Sequence, residues 1–94
     1  MAVIGRKDAT LRAADALEGN AVVNGRGEAL GTIEDIMIDV RRGTVAYAVM
    51  SRGGPEADET FFAIPWNALT LDSSRRRFIL ASDQERLLYG RRPA

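Results

Sequence analysis

The runs Gly31-Thr32-Ile33-Glu34-Asp35-Ile36-Met37-Ile38-Asp39 and Gly43-Thr44-Val45-Ala46-Tyr47-Ala48-Val49-Met50-Ser51 decide the fold. Both are rich in β-branched residues and alternate with a period of two, the pattern of extended strands. In the first, Ile36, Ile38 and Val40 fall on one face, with Asp35, Met37 and Asp39 on the other. Ile33 has the wrong parity to join Ile36. Burying all four apolar residues demands one extra residue near Glu34-Asp35, so the spacing predicts a β-bulge there. In the second run, Val45, Tyr47 and Val49 share one face and Ala46, Ala48 and Met50 the other. Both faces are apolar or small, which predicts a central strand covered on both sides. Arg41-Arg42-Gly43 is the turn between the runs.

Working outward, Ala21-Val22-Val23 leads into Asn24-Gly25, a hairpin signal because a tight turn needs residues that tolerate positive φ. Leu11, Ala14 and Leu17 recur at helical spacing, and Gly19 stops them. Residues 1–10 read as a flexible arm. Downstream, Gly53-Gly54-Pro55 heads a surface loop over 52–59, Thr60–Ile64 is a strand, and Pro65 closes it. Leu69 and Leu71 belong to a short strand, Asp72-Ser73-Ser74 to a turn, and Arg76–Ala81 to a last strand. Ser82 with Glu85 forms a capping-box pattern for a helix ending at Gly90, whose Leu87 and Leu88 offer an apolar contact. The expected fold is mainly β: a small barrel of about six short antiparallel strands with a short C-terminal helix. One domain spans residues 11–90, and residues 91–94 fray. Ring closure or dimerisation would protect the edges of such short strands.

Composition removes most chemistry. The 94 residues hold 13 basic and 13 acidic side chains, no histidine and no cysteine. Disulfides, Cys/His zinc sites, thiol catalysis and histidine triads are all excluded. No apolar run approaches the roughly 20 residues of a membrane helix, and no secretory segment follows Met1, so a cytoplasmic location without membrane insertion is expected.

The ordered series Asn24, Gly27-Glu28, Gly31 to Asp39, Gly43 to Val49, Ser51, Gly53-Gly54 and Phe62-Ala63-Ile64-Pro65-Trp66 with Leu69 resembles the PRC-barrel family. The signature positions are Gly27, Glu28, Gly31, Ile33, Asp35, Ile38, Asp39, Gly43, Tyr47, Gly53, Gly54, Pro65 and Trp66. The family includes the cytoplasmic domain of the photosynthetic reaction-centre H subunit and the C-terminal domain of a ribosome-maturation factor, besides many small stand-alone members. The resemblance implies a β-barrel that docks proteins, without catalysis or a cofactor. After Gly53-Gly54 the chain departs from many stand-alone members, reading Pro55-Glu56-Ala57-Asp58-Glu59 where they carry an aromatic-leucine-glycine stretch.

Each candidate site has a structural competitor. Gly25 to Gly31 fails the spacing of both phosphate-binding loops, and turn glycines explain it. Asp35 and Asp39 would stand about 13 Å apart on one strand face, too far to share a proton or a metal ion; accepting turn amides or pairing with arginines is the better reading. Glu56, Asp58 and Glu59 lack a calcium-loop pattern and read as a solvated acidic loop that can meet a basic protein. Phe61 and Phe62 must point to opposite faces, so one is left for a partner, and Trp66 sits at a strand end as a rim anchor or a core residue. Together with the apolar second face of Thr44–Met50, these aromatics favour a homodimer and a protein partner. Arg75, Arg76 and Arg77 supply the alternative, an RNA- or ribosome-associated module, although zero net charge and placement on a turn make nucleic acid the weaker expectation.

Overall fold

The computed structural model describes residues 13–53 and 59–90, with side chains through Leu87. The expected arm over 1–10, Leu11, the loop residues Gly54, Glu56 and Asp58, and the tail over 91–94 lie outside the described residues. In chain order the elements are α1 (Ala14–Leu17), β1 (Ala21–Val23), β2 (Ala29–Asp39), β3 (Thr44–Arg52) and β4 (Thr60–Pro65). A 3₁₀ turn (Trp66–Ala68), β5 (Leu69–Asp72), β6 (Arg77–Leu80) and α2 (Ser82–Gly90) follow.

The strands form one sheet in the order β4-β3-β2-β1-β6-β5. All neighbours are antiparallel except β1 and β6, which run parallel with Val22 beside Phe78. A flat six-stranded sheet would hold its edges roughly 24 Å apart. Yet β4 and β5 are those two edges, and only the 3₁₀ turn joins them. Four peptide units reach at most about 14 Å. The sheet therefore curls, as a half-barrel, and no ladder between β4 and β5 completes the expected ring. The amide of Ala81 donates to the Ala68 carbonyl (3.0 Å), tying the end of β6 to the 3₁₀ turn.

The core lies on the concave side. Phe78, Ile33, Met50, Leu80 and Val22 are its largest fully buried side chains. Leu17, Leu30, Ala48, Ile64 and Ala68 join them, with Phe62, Trp66, Leu69 and Leu71 packed around. Trp66 meets Phe78 edge to face, with ring centroids 5.8 Å apart. The helical turn expected before Gly19 is present as α1, contributes Leu17 to the core, and ends where Gly19 takes φ +85°.

The bulge predicted near Glu34-Asp35 is present. Ile33 faces Met50 and Asp35 faces Val49, which leaves Glu34 as the extra residue. Without it Ile33, now fully buried, would turn outward. That would forfeit about 1.5–3 kcal/mol, more than the roughly 0.5–1.5 kcal/mol of one net ladder hydrogen bond that a bulge gives up. A second irregularity lies between Met37, facing Tyr47, and Ile38, facing Val45, so Ala46 is the extra residue on β3.

Five expectations are corrected. Ile38 and Val40 are 54% and 86% exposed. β4 ends at Pro65 opposite Tyr47, and β1 covers β2 only over Ala29–Thr32, so the tip of the β2–β3 hairpin extends as a two-stranded ribbon with no core against it. For the same reason the second face of β3 is not covered: Tyr47 is exposed and Val49 half-buried. The hairpin after β1 is present, but Asn24-Gly25 is not its left-handed pair. Asn24 opens the turn and Gly27 takes the positive φ of +84°. Finally, the Ser82–Glu85 capping box does not form as expected. Ser82 is already inside α2, and the Glu85 carboxylate accepts a hydrogen bond from Asn24 instead. Leu87, expected to pack on the barrel, is 58% exposed.

Candidate protein-docking surface

The register across β2, β3 and β4 builds the convex face in rows, because directly opposed residues in a ladder point to the same side. One row is Met37–Tyr47–Pro65, the next Asp35–Val49–Ala63, and the third Ser51–Phe61. Their sequence neighbours Ile36, Ala48, Met50, Phe62 and Ile64 point into the core. Phe61 and Phe62 thus divide as the strand period requires: Phe62 packs on the core and Phe61 is 58% exposed. The rows form an apolar patch of Met37, Tyr47, Val49, Phe61, Ala63 and Pro65, bordered by exposed Asp35 and Glu59. Trp66 is half-buried against Phe78 and closes the end of the core beside this patch. Met37 and Ala63 were not singled out from sequence; only the pairing register reveals that they complete the rows.

Asp39 and Gly43 hold the turn between β2 and β3. Asp39 accepts hydrogen bonds at Oδ1 from the amides of Arg41 and Arg42 (3.1 Å each) and pairs with the Arg42 guanidinium at 3.8 Å. Gly43 takes φ +67° and donates to the Asp39 carbonyl (2.8 Å). The carboxylate thus caps the turn, as the structural reading of Asp39 expected. Asp35 sits exposed opposite Val49. Gly53 adopts φ +120° after β3.

At the other hairpin, the Asn24 side chain accepts from the amides of Arg26 and Glu28 (2.9 Å each) and donates to Glu28 (2.7 Å) and Glu85 (3.1 Å). The Asn24 amide first, and the Arg26 guanidinium second, hold the Glu28 carboxyl below its ordinary range.

The arginine triplet is largely engaged. Asp72 lies 3.3 Å from Arg77 Nε and 3.9 Å from Arg75 Nη1, and accepts from the Ser74 hydroxyl at 2.9 Å. The Ser74 hydrogen bond, followed by the two arginines, lowers the Asp72 pKa against the opposing effect of burial. Arg76 occupies the left-handed turn position at φ 53° and is exposed. A pH test follows. For a carboxylate with a depressed folded pKa, the stabilisation is complete above the unfolded pKa and vanishes as pH falls through the folded one. The urea midpoint should therefore hold down to about pH 5 and fall below about pH 4. Asp72→Asn should lower the neutral-pH midpoint and flatten that acid limb, measured by urea unfolding at stepped pH.

A cleft of about 510 Å³ opens between β1, β2 and the end of β3, lined by Gly31, Thr32, Glu34, Ser51, Arg52 and Glu59 among others. Ser51 donates to Glu34 there at 2.8 Å. Among the described residues no group of three or more acidic side chains converges as a metal site. No described helix is long and apolar enough to cross a membrane.

The family model for the PRC-barrel domain matches residues 10–87. The chain belongs to the PRC-barrel family. Among solved structures it is similar to RimM of Pseudomonas aeruginosa, a protein assigned to 16S ribosomal RNA processing, with 18% identity and a TM-score of 0.48. That match covers 87% of this chain and 50% of the other, so this PRC-barrel chain spans about half the length of that protein. No curated protein matches the chain closely enough to count as a relative.

Proposed function

We propose that this PRC-barrel chain is a non-catalytic docking module that binds protein through the convex face of β2–β4 and associates with itself there. The observation that carries the reading is the continuous apolar patch across three strands, Met37–Tyr47–Pro65 with Val49, Ala63 and Phe61, on the side of the sheet away from the core. Large exposed patches of this kind mark interaction sites. Aromatic anchors such as Tyr47 and Phe61 supply affinity, and the acidic border at Asp35 and Glu59 tunes rate and choice of partner. The RNA-associated alternative is the weaker one, because Asp72 already engages two of the three arginines in the turn.

Affinity capture from lysate of the source organism, with and without RNase, tests this. Wild-type protein should retain a stoichiometric protein that survives RNase. Tyr47→Lys should lose it at least tenfold, while Arg76→Ala retains it. Capture of ribosomal proteins that disappears with RNase and with Arg76→Ala would overturn the docking reading in favour of RNA association.

A further inference from the structure

We infer that the self-association runs through β4, two copies pairing this edge strand antiparallel about a twofold axis at Phe62. The inference rests on the docking reading above and gives it a geometry.

β4 ends the sheet order, so its side away from β3 carries no ladder among the described strands. Natural edges are blunted by charge, interior proline, bulges or very short length. β4 has six residues, Thr-Phe-Phe-Ala-Ile-Pro, with no charge, a regular register against β3, and proline only at its last position. The opposite edge, β5, has four residues and ends in Asp72 with its arginine pairs. Of the two edges, only β4 is built to accept another strand.

Its sequence then sets the register. Pro65 has no N–H to donate, so the pairing segment is Thr60–Ile64, whose middle residue is Phe62. A twofold axis there puts Phe61 opposite the partner's Ala63, Thr60 opposite the partner's Ile64, and the two Phe62 side chains against each other. On the convex side each exposed Phe61 ring thus lies over a small exposed alanine, large against small in both directions.

Charge selects the antiparallel arrangement. Glu59 marks the N-terminal end of β4, and beyond the C-terminal end projects the β2–β3 hairpin, whose tip carries Arg41 and Arg42 against the single Asp39. Antiparallel pairing directs each Glu59 toward the partner's basic hairpin, whereas parallel pairing would align Glu59 with Glu59.

Because the chain has no cysteine, cross-linking tests the register directly. Opposed Cα atoms about 5 Å apart accept a disulfide, whereas those beyond about 7 Å do not. The double variant Phe61→Cys/Ala63→Cys should oxidise to a covalent dimer in most molecules, while Leu87→Cys should not. Phe61→Lys should weaken the dimer at least tenfold in sedimentation equilibrium, with an unchanged melting temperature at concentrations low enough that both proteins are monomeric, since Phe61 packs little in the monomer. A double variant that sediments as a dimer when reduced yet does not cross-link on oxidation would overturn β4 pairing and leave self-association standing. A chain monomeric at every concentration would overturn both.

Discussion

Gly31→Ala should be the most damaging single-methyl change in the chain, lowering stability by about 2–4 kcal/mol. For a domain of this size that is a fall in melting temperature of roughly 10–25 °C. The reason is steric. Gly31 lies within β2, beside the pair formed by Thr32 and Ser51. A β-carbon there would stand deep inside contact with the Ser51 carbonyl oxygen and 2.8 Å from Met50 Cγ. Met50 is fully buried and the carbonyl is backbone, so neither can retreat without pulling β3 away from β2. Two other glycines separate this mechanism from backbone freedom. Gly25 has open space around it and no positive φ, so Gly25→Ala should be neutral or stabilising by about 0.4–1 kcal/mol. Gly27 has room but takes φ +84°, so Gly27→Ala should cost about 1–2 kcal/mol through conformation alone. Thermal melts of the three variants give the order. Equal losses at Gly31 and Gly27 would mean that β2 and β3 are not held as tightly as Gly31 requires.

The contrast also shows where reading residues stops. Parity alone located the bulge at Glu34, because Ile33 and Ile36 cannot share a face otherwise. Alternation divided Phe61 from Phe62 correctly, and the strand count follows from turn chemistry spaced along the chain. What parity does not contain is the length of neighbouring strands. Ile38 and Val40 continue an apolar pattern that has no core to meet, since β4 stops at Pro65 opposite Tyr47. Gly31 looked like one more turn glycine because its constraint comes from Ser51, twenty residues away. The parallel contact of β1 with β6 is equally non-local: it sets Ala21 beside Arg77 and Val22 beside Phe78, and nothing in the pattern of either strand marks that pairing. Likewise the rows of the docking face arise from pairing register, so Met37 and Ala63 carry no mark in the sequence that sets them apart from ordinary strand residues.

Asn24 is the sharper case, and its removal should have the second largest effect. The side chain is 2% exposed, and its carboxamide uses both donors and accepts two amides: Glu28 and Glu85 on one side, Arg26 and Glu28 backbone on the other. It therefore shapes the β1–β2 turn and ties that turn to α2 at once. Asn24→Ala should cost about 2–4 kcal/mol, because four hydrogen bonds are lost together and a polar pocket is left behind. That loss should be nearly independent of pH between 5 and 8. Asn24→Asp keeps the acceptors but loses both donors, and it brings a third carboxylate against Glu28 and Glu85. Those neighbours and the burial raise the folded pKa of the new group above its unfolded value near 3.9. Its penalty is then largest at neutral pH and shrinks as pH falls through that raised folded pKa. The Asn24→Asp variant should accordingly gain on wild type as pH is lowered from 7 toward 5, in urea unfolding monitored by tryptophan fluorescence. The Asn24→Ala difference should stay level. If the two substitutions track each other across that range, the carboxylates do not converge on Asn24, and α2 is held to the sheet by something other than this hydrogen-bond network.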